Sequence, residues 1–149
     1  MKLSGACEVD RPAAEVFEFV SDPSNNPRWQ KGQQSCEWTT PPPVGVGSTY
    51  EQRARFLGRT VTSTFVVTDH EPGRSITIES TSGSFPITVR RSVEPIDEGR
   101  TRVTAEIDGD PGRFFRLFGP LLRRLAQRSV NADYARLRAI LEDGIDLDR

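Results

Sequence analysis

"PGRFFRLFGPLLRRLAQRSVNADYARLRAILED" (Pro111–Asp143) is the longest helical pattern in the chain. Gly119 and Pro120 interrupt it, so we expect a short helix, a kink or restart with Pro120 in the first turn, and a helix that ends near Glu142. Projected at about 100° per residue, its apolar side chains form two clusters roughly a third of a turn apart. The pattern predicts a helix that contacts two apolar environments, one through Phe114, Phe118, Leu121, Leu122 and Leu125 and the other through Val130, Tyr134, Leu137 and Leu141.

Upstream of this helix, short apolar segments alternate with glycine and proline turns, which is typical of strands. A first strand is predicted at Lys2–Val9. Because the later connections are tight, we expect an antiparallel meander. Its strands are predicted at Gln33–Thr40, Ser48–Leu57, Thr60–Asp69, Ser75–Thr81, Phe85–Glu94 and Thr101–Asp108.

Side chains in two of these strands alternate between faces, as expected where one face of a sheet is buried. In one strand, a single face carries Tyr50, Gln52, Ala54 and Phe56. In the last strand, a single face carries Val103, Ala105 and Ile107.

The first strand is followed by a second helical region. Asp10 is a plausible N-cap, Pro12 fits the first turn, and Val16, Phe17 and Val20 have helical spacing. A curved antiparallel sheet must bury its concave face, and the terminal helix is long enough to cover it. With 149 residues, the chain fits one domain. The predicted fold is α+β: a seven-stranded antiparallel sheet wrapped around the terminal helix, with two short helices between strands 1 and 2.

The loop after the first helix, "SDPSNNPRW", ends in a tryptophan. Pro23 and Pro27 stiffen its backbone, so Trp29 is presented in a fixed direction. Trp29 is therefore either a wall or lid residue at a pocket entrance, which we favour, or a plug in the core.

The sequence resembles the START-like (SRPBCC) superfamily, which includes polyketide cyclase/dehydrase-like, coenzyme Q-binding-like and lipid-transfer proteins. The resemblance covers nearly the whole chain. It rests on "EVDRPAAEVFEFVSDPSNNPRW" (Glu8–Trp29), "GVGSTYEQRARFLGRTVTSTFVVTDHEPGRSITIES" (Gly45–Ser80), "EPIDEGRTRVTAEI" (Glu94–Ile107) and "RLRAILE" (Arg136–Glu142). It implies a helix-grip fold with a deep, mostly apolar cavity for a hydrophobic small molecule. It does not imply one reaction, because the fold serves carriers and enzymes.

The candidate wall of that cavity is a set of apolar and aromatic side chains with a few polar groups, as is usual for small-molecule pockets. For each member, plain core packing is the alternative. The candidate ligand-binding residues are Trp29, Tyr50, Gln52, Phe56, Phe65, Ile78, Phe85, Val89, Arg91, Phe114, Phe118 and Leu122.

The sharpest polar anomaly is the pair Arg90 and Arg91, because alternation directs one of them to the concave side. If Ile87, Val89 and Val93 face inward, the inward arginine is Arg91. A desolvated guanidinium needs an anion, a carbonyl or water. Arg91 is thus either an anchor for a ligand carboxylate or carbonyl, or part of a salt bridge or cavity mouth.

Catalytic signals are weak. The single histidine, His70, is beside a turn, and the carboxylates occupy turns or polar strand faces. Cys7 and Cys36 lack metal-ligand spacing, and no nucleophile elbow, phosphate loop or dinucleotide fingerprint is present. We expect no metal and no cofactor.

Charge and hydropathy limit the partners. The net charge of −1 gives no overall attraction to nucleic acid, and no segment has the roughly 18 apolar residues of a membrane span. No export signal is evident at the start, so we expect a cytoplasmic protein that is a monomer or homodimer. A stripe of arginines in the terminal helix is either solvated surface or a peripheral contact with anionic lipid, and it consists of Arg113, Arg116, Arg123, Arg124 and Arg128.

Three functions fit the sequence. The first is binding of a hydrophobic small molecule such as a lipid, quinone or polyketide. The second is a cyclase or dehydratase in which Arg91, Gln52 and Tyr50 polarise a carbonyl. The third is an interaction module whose cavity is filled by side chains. The absence of a credible general base favours binding.

Overall fold

The computed structural model of the protein describes residues 1–56, 58–83, 86–110 and 113–143, and for Phe56 and residues 113–118 it describes the backbone. Seven strands and three α-helices follow each other in the order expected from the sequence. They are β1 (Lys2–Val9), α1 (Ala13–Val20), α2 (Asn26–Trp29), β2 (Gln33–Trp38), β3 (Thr49–Phe56), β4 (Arg59–Glu71), β5 (Ser75–Ser82), β6 (Ile87–Asp97), β7 (Arg100–Gly109) and α3 (Arg113–Asp143).

The strands form one antiparallel sheet in the order β1-β7-β6-β5-β4-β3-β2. The sheet curls around α3, so the predicted helix-grip fold is confirmed. Strand ends differ from the predictions by up to three residues, and the predicted ends Leu57 and Phe85 lie outside the described residues. The alternation is confirmed, since Tyr50, Val103 and Ala105 are buried.

The predicted N-cap at Asp10 is wrong. Helix α1 begins at Ala13, its N-cap residue is Pro12, and no side chain caps it. The Asp10 carboxylate instead forms an ion pair with Arg100, at 3.3 Å. A proline at the cap fixes the extended backbone that precedes a helix, so the helix starts later than the aspartate suggested.

The loop after α1 is ordered by its own side chains. Asp22 accepts hydrogen bonds from the backbone N–H and the hydroxyl of Ser24, at 3.0 and 2.7 Å. Asn25 donates to the Phe19 carbonyl at 3.1 Å. A 3₁₀ turn at Pro23–Asn25 then leads directly into α2, which ends at Trp29. These contacts order the loop that leads to Trp29.

Helix α3 is continuous from Arg113 to Asp143 and contains Pro120. The predicted restart of the helix at Pro120 is therefore wrong. A proline removes one backbone hydrogen bond, but the helix on either side is long enough to continue. The predicted apolar contacts of Leu121 and Leu125 are also wrong, because these side chains are 59% and 52% exposed. Among the described residues of α3, the buried face is that of Tyr134, Leu137 and Leu141.

Gly5 lets α3 approach β1 closely. A Cβ atom at this position would lie 2.7 Å from the Tyr134 ring and 2.9 Å from Cγ1 of Val130. Such distances are too short for ordinary contacts, so a larger residue would displace the helix. On either side of this point, Gln127 donates to the Ser4 carbonyl and Glu142 accepts from the Asp10 N–H, at 2.6 and 3.0 Å. These contacts hold α3 against β1 and against Asp10, the residue that follows it.

Candidate functional site

A cavity of about 120 Å³ lies between the concave face of the sheet and the helices α2 and α3. Strands β3 to β7 supply most of its apolar wall, and α2, the residues after it and α3 supply most of its polar groups. The lining residues are Asn26, Trp29, Gln30, Gln33, Tyr50, Gln52, Phe65, Ile78, Ile87, Val89, Arg91, Ile107, Val130, Asp133 and Tyr134.

The structure brings seven of the twelve predicted ligand-binding residues to this cavity: Trp29, Tyr50, Gln52, Phe65, Ile78, Val89 and Arg91. The described side chain of Leu122 is half-buried but does not line the cavity. Phe56, Phe85, Phe114 and Phe118 were also predicted, and their side chains lie outside the described part of the structure.

Arg91 points inward and Arg90 points outward, as the alternation predicted. Ile87, Val89 and Arg91 share the concave face of β6, whereas Arg90 is exposed. The Arg91 Nε–H donates to the Tyr134 hydroxyl at 3.2 Å. Its Cζ lies 5.0 Å from the centroid of the Trp29 ring, which is a cation–π distance. Arg91 is therefore held between two aromatic residues.

Trp29 is 1% exposed, belongs to the hydrophobic core and lines the cavity. Its ring meets the Tyr134 ring edge to face, with centroids 5.0 Å apart. The Arg136 guanidinium donates to the Trp29 carbonyl at 2.8 Å. The loop after α1 turns Trp29 under the sheet, so the same side chain is packed in the core and forms part of the cavity wall. A role of Trp29 in ligand binding stays a prediction.

Aromatic rings also form the opposite wall. The Tyr50 and Phe65 rings are stacked at 5.1 Å, and Trp38 contacts Tyr50 edge to face at 5.7 Å. Gln52 is the next residue on this face of β3 and is half-buried at the cavity. The wall is thus mostly aromatic, with one amide beside it.

Side-chain amides link the residues after α2. The Cys36 thiol donates to Gln33 Oε1 at 2.8 Å, and Gln33 Nε2 donates to Gln30 Oε1 at 2.5 Å. Gln30 Nε2 then has no hydrogen-bond partner among the described residues, and the same holds for Trp29 Nε1 and Asn26 Oδ1. A buried polar atom without a partner costs about 1 to 3 kcal/mol. These three atoms belong to residues that line the cavity.

Burial keeps two ionisable side chains near Arg91 neutral, those of Cys36 and Tyr50. Burial raises the pKa of the Cys36 thiol to about 12, although Arg91 acts in the opposite direction. Burial likewise raises the pKa of Tyr50. For Arg91, burial acts to lower the pKa, but interactions with Tyr134 and Tyr50 outweigh it and the pKa is raised. At neutral pH the guanidinium is charged and the thiol and the Tyr50 phenol are not.

Asp133 is the one carboxylate among the described lining residues. Its Oδ1 accepts hydrogen bonds from Arg136 and from the Lys31 N–H, both at 3.2 Å.

His70 lies away from the cavity, with its ring 6.1 Å from that of Phe17. In the described ranges, no group of three or more His, Cys, Asp or Glu side chains has the geometry of a metal site. Among the helices described, none is both long and apolar enough to cross a membrane.

Sequence reasoning missed most of the polar lining. The sequence places Tyr134 on an apolar helix face without a role, and it predicts no site role for Asn26, Gln30 or Gln33. The available signal was the clustering of four amides around Trp29, namely Asn25, Asn26, Gln30 and Gln33. Amides so close to a buried tryptophan indicate side chains that are satisfied by each other or by a ligand.

Comparisons with known proteins agree with this architecture. The family model described as "Polyketide cyclase / dehydrase and lipid transport" matches residues 1–142. A solved structure from Thermus thermophilus has a TM-score of 0.82 at 17% identity, covering 98% of this chain and 100% of that one. A START superfamily protein from Mycobacterium smegmatis has a TM-score of 0.79 at 20% identity, covering 95% and 97%.

The Zhui aromatase/cyclase from a Streptomyces species is also similar, with a TM-score of 0.77 at 16% identity and coverage of 97% of this chain and 95% of that one. At these identities the solved structures establish the fold alone. A comparison with curated proteins found no significant match.

Proposed function

The chain belongs to the polyketide cyclase/dehydrase and lipid transport family, and on that basis we propose that it binds a hydrophobic small molecule in the cavity between the sheet and helix α3. A lipid, a quinone or a polyketide is the class of ligand suggested by the sequence. The observation that carries the proposal is the cavity itself, which joins an apolar wall of Phe65, Ile78 and Ile107 to a buried cluster of polar groups. This combination is characteristic of small-molecule sites.

The size of the cavity limits the ligand. Pockets for drug-sized molecules have volumes of about 300 to 1,000 Å³, and this cavity measures about 120 Å³. An interaction module with a filled interior is disfavoured, because space remains beside unpartnered polar atoms. A long lipid chain or a multi-ring polyketide would require the cavity to expand.

Thermal unfolding with added ligands tests the proposal. The panel contains a fatty alcohol, a short-chain quinone and a hydroxylated aromatic polyketide. A compound present at 100 times its Kd should add about 2.7 kcal/mol to the free energy of unfolding. Native mass spectrometry of the purified protein should detect the bound compound. If no compound raises the Tm and none is seen by mass spectrometry, the proposal fails.

An enzyme of the cyclase or dehydratase kind is the alternative in the same cavity. Arg91, Gln52 and Tyr50 would polarise a carbonyl. The ion pair of Asp133 with Arg136 argues against a free general base among the described lining residues. Turnover of a polyketide substrate that is lost in Arg91→Met but retained in Arg90→Met would support the enzyme.

A peripheral contact with anionic lipid is a second proposal, supported by the exposed part of α3. Leu121 and Leu125 are more than half exposed, and the exposed Arg124 and Arg128 lie on the same side of the helix. Apolar side chains flanked by cations are characteristic of helices that lie on membranes. Sedimentation with phosphatidylserine vesicles should exceed that with phosphatidylcholine vesicles and fall in the Leu121→Asn/Leu125→Asn variant. Equal sedimentation with both vesicles would count against it.

The cytoplasmic location and the oligomeric state stay predictions from the sequence.

A further inference from the structure

The polar end of the cavity consists mainly of hydrogen-bond donors. Trp29 Nε1 and Gln30 Nε2 are buried donors without a partner among the described residues. The Tyr134 hydroxyl accepts from Arg91, so its own proton is directed elsewhere. Among the fully buried atoms of the described lining residues, one acceptor lacks a partner, Asn26 Oδ1. A ligand that satisfies this end must therefore present acceptor oxygen atoms.

The same end carries a positive charge that no described residue balances. Arg91 takes part in none of the ion pairs among the described residues. The Cys36 thiol stays protonated because burial raises its pKa to about 12, and burial raises the pKa of Tyr50 as well. The Asp133 carboxylate is already paired with Arg136 at 3.2 Å. A partly buried cation of this kind is stabilised by an anion.

The volume indicates how large the anion is. The cavity measures about 120 Å³, somewhat less than an engineered protein cavity of about 150 Å³ that holds benzene, so a single ring is the upper limit of what it takes without expanding. The apolar wall at Phe65, Ile78 and Ile107 can receive a ring. A polar substituent on that ring would then lie at the polar end of the cavity.

From these observations we infer that the cavity takes a small carboxylate of about single-ring size, with the carboxylate on Arg91 and Tyr134 and the ring against Phe65 and Ile78. A guanidinium presents parallel N–H groups that match the two oxygens of a carboxylate. The Trp29 and Gln30 N–H groups supply further hydrogen bonds. The inference narrows the proposed function and rests on it, because it assumes that this cavity is the binding site.

An NMR titration tests the inference with two ligands of the same shape. The full chain, labelled with ¹⁵N, is titrated with sodium benzoate and with benzamide, which lacks the charge. Benzoate should bind at least about fivefold more tightly, because hydrogen bonds between charged groups contribute more than neutral ones. The chain has two tryptophans, so the indole N–H signal of Trp29 should move on binding while that of Trp38, on the far side of Tyr50, moves little. A Trp29→Phe variant assigns the signals and should weaken benzoate binding severalfold.

Three variants in β6 separate the effect of the Arg91 charge from other effects on binding. Arg91→Met should abolish the preference for benzoate, Arg91→Lys should keep part of it, and Arg90→Met is the matched control on the outer face and should keep all of it. If Arg91→Met does not fold, as judged by circular dichroism, the lysine variant and Trp29→Phe still decide the matter.

The outcomes separate the inference from the proposed function. Equal affinity for benzoate and benzamide, or a preference that survives in Arg91→Met, overturns the inference. If 1-decanol raises the Tm but benzoate does not bind, the inference fails and the proposed function stands. If 1-decanol, benzoate and benzamide all fail to bind, both fail.

Discussion

The interior of the protein is built differently at its two ends. At the packed end, where α3 finishes, Val9, Val103, Leu137 and Leu141 are 0% exposed and form continuous hydrocarbon. At the cavity end, where α2 crosses under the sheet, Trp29 is as deeply buried, but it surrounds an open space together with Arg91 and unpartnered amide and indole groups.

The difference indicates which end stabilises the fold and which end serves a ligand. Hydrocarbon side chains gain stability from burial alone. Buried polar atoms without partners reduce it, because they lose water and receive nothing in return. Substitutions at the packed end should therefore change the free energy of unfolding, and substitutions at the cavity end should change binding.

The largest effect is expected at the packed end. Leu137→Ala should lower the free energy of unfolding by about 2 to 5 kcal/mol, because it leaves a cavity in a site with no exposure. Urea unfolding measures this change. Leu125→Ala, on the exposed side of the same helix, is the control and should stay within about 0.5 kcal/mol. A small effect at Leu137 would mean that this end is not closely packed.

The next effect comes from the contact that positions Tyr134. Gly5→Ala should lower the free energy of unfolding by about 1 to 3 kcal/mol, since the new methyl group would overlap the Tyr134 ring. It should also weaken ligand binding, because Tyr134 holds Arg91. Ser4→Ala, whose side chain points to the exposed face, is the control. Unchanged stability in Gly5→Ala would contradict the close approach of α3 to β1.

Alkaline pH should weaken both ends through one cysteine each. Burial raises the pKa of Cys7 to about 11 and that of Cys36 to about 12, from an ordinary value of 9.0. The folded protein thus holds these protons more strongly than the unfolded chain, and the stability they give is complete below pH 9 and falls as the pH rises. Each thiol should contribute a slope of about 1.4 kcal/mol per pH unit above pH 9, up to its folded pKa.

Urea unfolding between pH 8 and 11 measures that slope. The Cys7→Ala and Cys36→Ala variants should each lose one thiol's share of it, so that each removes about half of the slope between pH 9 and 11. A slope that is the same in both variants and in the unchanged protein would show that the thiols are not responsible.

The sequence predicted the fold and the direction of Arg91 because both depend on periodicity. Once Val89 and Val93 face inward, the two-residue period of a strand leaves Arg91 no other side. The resemblance to the START-like superfamily is likewise confirmed by the family match over residues 1–142.

The remaining features depend on distances between elements, which no local pattern contains. Leu121 and Leu125 have the spacing of a buried face, but they are exposed because the elements that α3 contacts do not cover that side of it. The role of Tyr134 depends on a glycine in β1, far away in sequence. The amides around α2 look like ordinary loop residues until the loop folds under the sheet.

The smallest change, and one of opposite sign, is expected from Arg91→Met. Without ligand, this variant should be more stable than the unchanged protein by about 1 kcal/mol, because a partly buried cation without a carboxylate partner among the described residues is replaced by an apolar side chain of similar length, and this gain should outweigh the lost hydrogen bond to Tyr134 and the lost contact with Trp29. Arg90→Met, on the exposed face, should be neutral. Saturating benzoate should then stabilise the unchanged protein and leave Arg91→Met unaffected, which reverses the order of their Tm values. If Arg91→Met instead loses stability without ligand, the contacts of Arg91 with Trp29 and Tyr134 stabilise the fold. The cavity end would then contribute to the free energy of unfolding, as the packed end does.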